Sequence, residues 1–350
     1  MSTDALTRQA RKTNVPHETR TSAEPRQNSL HPVRLSYIKQ VNSTIRLLRF
    51  TIPSQSDNEN LNASRSSAPI PSIPFSFLPG QWLDVHIPSL HDAGGFTITS
   101  TPREASEGSS SPPYIELAVQ DSPSNPAAAW LWRPESEILG AEVRVRVGGS
   151  FVWPPSAVEG GIPLAEIRNV VFVAGGVGIN PLMSMISHIH QTRSDLHPST
   201  NIYLLYTTRL PSAAATLPSP SRTLEIHNIL NQILFLPRLR EIVRSERKQH
   251  QQQKDTNLVF KPLDVRLYLT NLSSHPDTSA DELAVELHDE VAIYDGRITV
   301  ADLEDLIGSD RDEQARTVCN LCGPPRMTDD FVEILERILG NRRVFYEKWW

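Results

Sequence analysis

One stretch constrains this chain more than any other: Val170-Val-Phe-Val-Ala-Gly-Gly-Val-Gly-Ile-Asn-Pro-Leu-Met-Ser-Met-Ile186. Its first half is short, apolar and rich in β-branched residues, which predicts a strand buried on both faces, as in a parallel sheet. The run stops at Gly175, Gly176 and Gly178. Pro181 then opens a segment whose apolar residues Leu182, Met185, Ile186 and Ile189 recur at helical spacing. Proline is favoured in the first helical turn because its missing N–H would be unpaired there. A strand, a glycine turn and a helix N-terminus together make an anion site, since backbone N–H groups point outward and the helix dipole favours negative charge. A nucleotide pyrophosphate is the natural ligand of such a turn, here built from Gly175, Gly176, Gly178, Ile179, Asn180 and Pro181. The glycine spacing departs from G-x-G-x-x-G, so the weight falls on the placement between strand and helix. The plainer alternative is a turn that only connects the two.

At 350 residues the chain has the length of about two domains. Its net charge of −6 is spread without a long single-sign block, which argues against nucleic acid or an anionic membrane as the main partner. No apolar run approaches the roughly 18 residues of a membrane span. The two cysteines, Cys319 and Cys322, exclude a disulfide scaffold and a four-thiolate iron–sulfur cluster and fit a reducing compartment. The eleven histidines lack metal-ligand spacing, so no metal site is predicted; His188 and His190 fall on different faces of one predicted helix. Residues 1–32 carry several arginines but also Asp4, Glu18 and Glu24, with no apolar signal core. They read as a disordered tail, not a secretory signal. A mitochondrial presequence is matched only in part, which leaves mitochondrial and cytoplasmic locations open.

From residue 33 the text turns to strands, at 33–38, 44–52, 82–87, 96–100, 114–119 and 142–147. Residues 53–74 are a Ser/Asn/Pro-rich insertion, and residues 126–132 the one helical piece. Six short strands and one helix predict a small antiparallel β-barrel over 33–153. Beyond residue 165 strands alternate with helices, at 170–174, 202–206, 263–269, 317–322 and 344–346, with helices from 181, across 224–243, and around 300–307 and 328–339. That pattern predicts an open parallel α/β sheet over 165–350, interrupted by polar insertions at 211–222 and 245–257. Ligands on such sheets sit at the carboxyl ends of the strands.

Cys319-Asn-Leu-Cys322 spells C-x-x-C, yet Cys319 falls inside an apolar strand and Cys322 at its end, not at a helix start where a thiolate is stabilised. Cys322 instead opens Cys322-Gly-Pro-Pro-Arg-Met327, a second glycine turn leading from a strand into a helix. Two such turns facing one crevice are far more specific than either alone. Neither a G-x-S-x-G elbow nor a Walker A lysine loop is present. Arg297, in a short turn before a helix, is placed to approach a phosphate or to stand on the surface. The chain ends Tyr346-Glu-Lys-Trp-Trp350, a pair of tryptophans suited to plug a core or to cover a planar cofactor.

With Gly80-Gln-Trp-Leu-Asp84, Gly94-Gly-Phe-Thr-Ile-Thr-Ser-Thr-Pro102, Ala174-Gly-Gly-Val-Gly-Ile-Asn-Pro181, Cys322-Gly-Pro-Pro-Arg-Met-Thr328 and Glu347-Lys-Trp-Trp350, the chain resembles the ferredoxin–NADP reductase superfamily. Within it, the chain is most similar to the oxidoreductase NAD-binding domain-containing protein family. The resemblance covers residues 33 to 350. It implies FAD on the barrel and NAD or NADP on the α/β domain, with hydride passing from nicotinamide to flavin and electrons going on to an unknown acceptor. It places Gly175, Gly176 and Gly178 on the pyrophosphate, Cys322 near the nicotinamide, Gly323, Pro324 and Met327 in the second turn, and Trp349 or Trp350 over the flavin ring. Phe96 and Thr97 take the last two positions of the superfamily's flavin motif. Gly94 stands where that motif has an arginine for the flavin phosphate, Phe96 lacks a tyrosine hydroxyl, and Ala128 replaces a phosphate-binding serine. Choice of NAD or NADP depends on the end of the second α/β strand, here Thr207-Thr-Arg209. Two functions are therefore expected from this chain: a flavin-dependent NAD(P)H oxidoreductase, or a dinucleotide-binding module that holds no flavin.

Overall fold

The structure, a computed structural model, describes residues 15–53, 74–106, 108, 112–155, 163–211, 222–252, 260–274 and 278–348. The chain divides into two compact units after Trp153.

The first unit carries strands β1 (His31–Asn42), β2 (Ile45–Thr51), β3 (Trp82–His86), β4 (Gly94–Thr97), β5 (Tyr114–Gln120) and β6 (Glu142–Gly148). They form one sheet in the order β4-β3-β6-β1-β2-β5. Just past β4 the sheet closes on itself: Ile98 bridges Leu117, and the Thr99 N–H and hydroxyl donate to the Glu116 carbonyl at 2.8 and 3.1 Å. The period-two alternation explains the closure. Leu83 and Val85 of β3, Ile115 and Leu117 of β5, and Val143, Val145 and Val147 of β6 share one core, and the intervening residues face outward. Among the described residues the helices of this unit are α1 (His17–Arg20), α2 (Pro126–Leu131) and α3 (Glu135–Ile138), of which α2 inserts Ala127, Ala128 and Leu131 into that core.

Residues 15–30 correct one expectation. They are an ordered strap, not part of a disordered tail, and they cover the outer face of β3, β4 and β6. Asp84, fully buried, accepts from Arg26 Nε at 2.9 Å and from Arg146 Nε and Nη2 at 3.0 and 2.8 Å; Arg146 also reaches Glu18 at 2.6 Å. A Cβ on Gly95 would overlap the His17 imidazole, which packs edge-on against Trp82 with ring centres 4.7 Å apart. A four-residue helix held by ion pairs to distant strands has no periodicity for a sequence reading to find. Asp84 also lies near Glu18 and His86 with ligand atoms within 4.8 Å, but its Oδ2 already faces two guanidinium groups and its Oδ1 lies 3.4 Å from His17 Nε2.

The second unit is a parallel sheet of β7 (Asn169–Gly175), β8 (Asn201–Thr208), β9 (Asp264–Leu269), β10 (Ala292–Asp295), β11 (Thr317–Cys322) and β12 (Val344–Glu347). Its order is β10-β9-β8-β7-β11-β12. Helices α4 (Ile179–Gln191), α5 (Arg222–Asn231), α6 (Leu236–Gln252), α7 (Ala280–Leu287), α8 (Val300–Ile307), α9 (Arg311–Gln314) and α10 (Pro325–Leu339) connect the strands. β7 is buried at every position, as its unbroken apolar run requires. Two elements differ from expectation. α6 runs through residues 245–252, where a polar insertion was predicted; Glu, Arg, Lys and Gln are good helix formers, and buried Glu246 anchors them by accepting from Leu263 N–H at 2.7 Å and meeting His190 at 2.9 Å. β10, a four-residue edge strand with mostly exposed side chains, has no hydrophobic run to announce it. Most of the insertions predicted at 53–74 and 211–222 lies outside the described residues.

Candidate functional site

From β7 the chain steps outward through β8 and β9 to β10, then returns to the opposite side of β7 with β11. Connections therefore leave the carboxyl ends of β7 and β11 in opposite directions, and ligands of open α/β sheets bind at this kind of switch point. The two glycine turns sit there, locked in register by the pairs Val173 with Leu321 and Ala174 with Cys322.

The turns are packed backbone to backbone, and each glycine has its own reason to be there. A Cβ on Gly178 would overlap the Cys322 carbonyl and lie 2.7 Å from the Gly323 nitrogen. One on Gly175 would meet Pro324 Cδ at 2.5 Å and Met327 Sδ at 2.9 Å, and one on Gly323 would overlap the Met327 methyl. Gly175, Gly178, Gly323, Pro324 and Met327 thus seal the two turns together. Gly176 is different. It adopts φ +54°, in the left-handed region, with no heavy atom within 4 Å of where a Cβ would sit. It is the part of the turn that presents bare backbone outward.

Helix α4 begins here. No side chain caps its N-terminus or that of the short turn Gly176–Gly178 preceding it. The first N–H of α4, on Ile179, donates back to the Gly176 and Val177 carbonyls, so it is the N–H groups at the start of the Gly176–Gly178 turn that are placed for an anion. Ile179, Asn180 and Pro181 are buried and anchor the turn. The residues present fit a dinucleotide pyrophosphate: open glycine backbone, an uncapped thirteen-residue helix and close approach at the switch point.

Cys322 is 1 % exposed, and burial, reinforced by the Glu347 carboxylate, raises its pKa well above the ordinary thiol range. It is a neutral thiol at the rim of the turn. Cys319 shares the opposite face of β11 with Leu321, in the core formed with Phe331 and Leu335, and both cysteines are free. They do not form a redox dithiol. Glu347 pairs in register with Cys322 and brings a carboxylate to this rim, a neighbour that sequence reading missed because β12 is short and sits far along the chain. Lys348 Nζ contacts Asp329 at 2.6 Å, tying the end of β12 to α10. Arg209 stands exposed at the end of β8; the next residue, Leu210, is held by Asn271, which accepts from its N–H at 2.7 Å and donates to its carbonyl at 3.1 Å. Arg297 is exposed beyond β10. Trp349 and Trp350 lie outside the described residues.

On the barrel, Phe96 is half-buried on β4 and Thr97 is 6 % exposed opposite Trp82. Gly94 has no room for a side chain: a Cβ there would overlap the Ala127 Cβ and lie 2.6 Å from the Phe96 ring. The start of α2 is closed by its own chain, because the Asn125 side chain accepts from the N–H groups of Ala127 and Ala128 at 3.1 and 3.2 Å.

An antiparallel barrel followed by a parallel dinucleotide-type sheet with this switch-point site defines the ferredoxin–NADP reductase class of fold. Solved structures agree. The CS-b5R domains of human Ncb5or in the NAD+ form match with a TM-score of 0.56 at 16 % identity, over 91 % of this chain and 70 % of that one. A ferredoxin NADP+ reductase from Neisseria gonorrhoeae with bound FAD and NADP matches with a TM-score of 0.54 at 12 % identity, over 92 % and 99 %. No protein-family model matches the chain. Among curated sequences, human oxidoreductase NAD-binding domain-containing protein 1 is 32 % identical over 79 % of this chain and 72 % of its own length. The Danio rerio protein of that name is 29 % identical over 95 % and 97 %. The chain belongs to the oxidoreductase NAD-binding domain-containing protein 1 family.

Proposed function

We propose that this chain is an NAD(P)H oxidoreductase that uses a flavin to carry electrons from the nicotinamide to an acceptor. The observation that carries the reading is the pair of fused glycine turns at the β7/β11 switch point, with Gly176 open and the first turn of α4 uncapped. Gly176 and the N–H groups at the start of the Gly176–Gly178 turn receive the pyrophosphate. Gly175, Gly178 and Met327 hold the two turns at the spacing this needs. Cys322, a buried neutral thiol beside Glu347, borders the nicotinamide. A flavin, when bound, accepts the hydride and releases electrons singly.

The relatives support the reading. Propane 2-monooxygenase, reductase component, from Rhodococcus jostii is 23 % identical over 80 % of this chain. The reductase neighbours named above carry NAD+, or FAD and NADP, in their solved structures. By analogy the acceptor is a protein or small-molecule oxidant. The reading needs no metal and no nucleic acid, and no described helix is long and apolar enough to cross a membrane. The two free, buried thiols support a reducing compartment, cytoplasmic or mitochondrial. The test is spectroscopic. Purified protein is mixed with flavin under anaerobic conditions and NADH or NADPH is added. Loss of the visible flavin band at a catalysed rate is expected; a band that persists while the dinucleotide stays reduced sinks the oxidoreductase reading.

A further inference from the structure

Resting on the dinucleotide reading of the β7/β11 site, we infer that this chain selects NADPH over NADH, with Arg209 gripping the adenosine 2′-phosphate. A sheet of this kind tells the two dinucleotides apart at the end of the strand that follows the pyrophosphate turn. A carboxylate there accepts from the ribose 2′-hydroxyl of NADH, and an arginine pairs with the 2′-phosphate of NADPH. That strand is β8.

Register sets the place. Gly175 pairs with Thr207, so the open Gly176 leaves the sheet beside Thr208 and Arg209, one strand spacing of about 4.8 Å across. The backbone on both sides of Arg209 is fixed. The Thr208 carbonyl accepts from the Thr270 N–H at 3.0 Å, and the Asn271 side chain exchanges two hydrogen bonds with the Leu210 backbone. Between these two clamps the Arg209 side chain is exposed, and among the described residues no carboxylate or other group engages it. Arg240 and Arg244 of the same unit, by contrast, both pair with Glu290. A guanidinium mounted on a fixed backbone with its donors unspent is preorganised for a bidentate grip on phosphate.

No carboxylate stands at the end of β8 to receive a 2′-hydroxyl instead. After Arg209 the next charged residue in the sequence is Arg222, and only Leu, Pro, Ser, Ala and Thr lie between them. At the same end of the sheet, Glu282 and Asp302 are spent in the capping boxes of α7 and α8. Asp281 opens α7 and Glu225 lies on α5, both outside the strand ends. Asp295 ends β10, two strands from β8, and the exposed Arg297 follows two residues on. Asp277, in the loop after β9, lies outside the described residues.

The test separates the 2′-phosphate from the rest of the dinucleotide. The full chain is titrated calorimetrically with NADPH, NADH, adenosine 2′,5′-bisphosphate and adenosine 5′-monophosphate, and the series is repeated with Arg209→Gln and Arg209→Lys. NADPH is expected to bind at least about tenfold more tightly than NADH, the size of one charge-assisted hydrogen bond, and the bisphosphate to show the same lead over the monophosphate. Arg209→Gln should bring the NADPH-to-NADH ratio to within about threefold of one. Arg209→Lys should keep part of the lead, as a point charge without the planar fork. NADH binding as tightly as NADPH, or more tightly, overturns the inference and leaves the oxidoreductase reading intact. So does a lead for NADPH that survives Arg209→Gln, or an equal weakening of both dinucleotides in that variant, which would put Arg209 on a group the two share. Failure of the wild-type chain to bind either dinucleotide overturns the inference and the reading together.

Discussion

At the residue scale, the three glycines of the first turn look alike in the sequence and do different work in the fold. Gly178 is glycine because the Cys322 carbonyl occupies the place of its side chain, and Gly176 because the backbone there is left-handed and open. Gly178→Ala should therefore destabilise the α/β unit by about 1–3 kcal/mol, the usual cost of overpacking, seen as a lower urea midpoint. Gly176→Ala costs only about 1 kcal/mol for the left-handed conformation, with no clash, so the fold survives. Equal losses in the two variants would contradict this division. The C-x-x-C spelling is settled by burial. With Cys319 and Cys322 at 0 % and 1 % exposure and both pKa values raised by desolvation, neither should react with a thiol reagent at pH 8 until the chain unfolds. A fast-reacting thiol in the native protein would refute that placement. The glycine turns were legible because strand, turn and helix follow one another in sequence. The seal between them was not, since Gly178 and Cys322 meet only through the sheet.

At the scale of elements, the strap of residues 15–30 is where the sequence was least informative and where a pH effect belongs. His17 is buried against Trp82, and desolvation drops its pKa to about 4 despite the pull of Asp84, with Arg20 and Arg26 lowering it further. Glu18 and Arg146 complete the charges around it. The unfolded chain, with an ordinary histidine pKa near 6.5, takes up the proton first as pH falls. The contribution of this site to stability is thus fully present above about pH 6.5 and is lost between about pH 6.5 and 4, at up to about 1.4 kcal/mol per pH unit. Protection factors of the β3 and β4 amides, corrected for the intrinsic exchange rate at each pH, should fall over that window, and His17→Gln should flatten the dependence. Unchanged pH dependence in that variant would place the effect elsewhere. The six barrel strands expected from the sequence are present, β1 and β2 legible from their alternation, although the strand expected at 96–100 is β4, Gly94–Thr97; β7 was legible from its apolar run. Edge strand β10 and the polar half of α6 were not, because short exposed elements are held by tertiary contacts such as Glu246 with His190, not by pattern.

For the molecule as a whole, the two units carry opposite messages about phosphate. The α/β sheet ends in a glycine turn with no side-chain cap and open backbone at Gly176, whereas the barrel helix is capped by its own Asn125 and packed onto Gly94. Dinucleotide binding is the common footing of every function argued above, including the flavin chemistry. The most direct test is a calorimetric titration of the full chain with NADH and NADPH, repeated with Gly176→Val. The wild-type protein is expected to bind at least one of the two, and the folded variant to lose at least about tenfold in affinity, about 1.4 kcal/mol, as the branched side chain blocks the backbone's approach to the pyrophosphate. Equal affinity in a folded Gly176→Val protein, or no binding by the wild type, would contradict the assignment of the site.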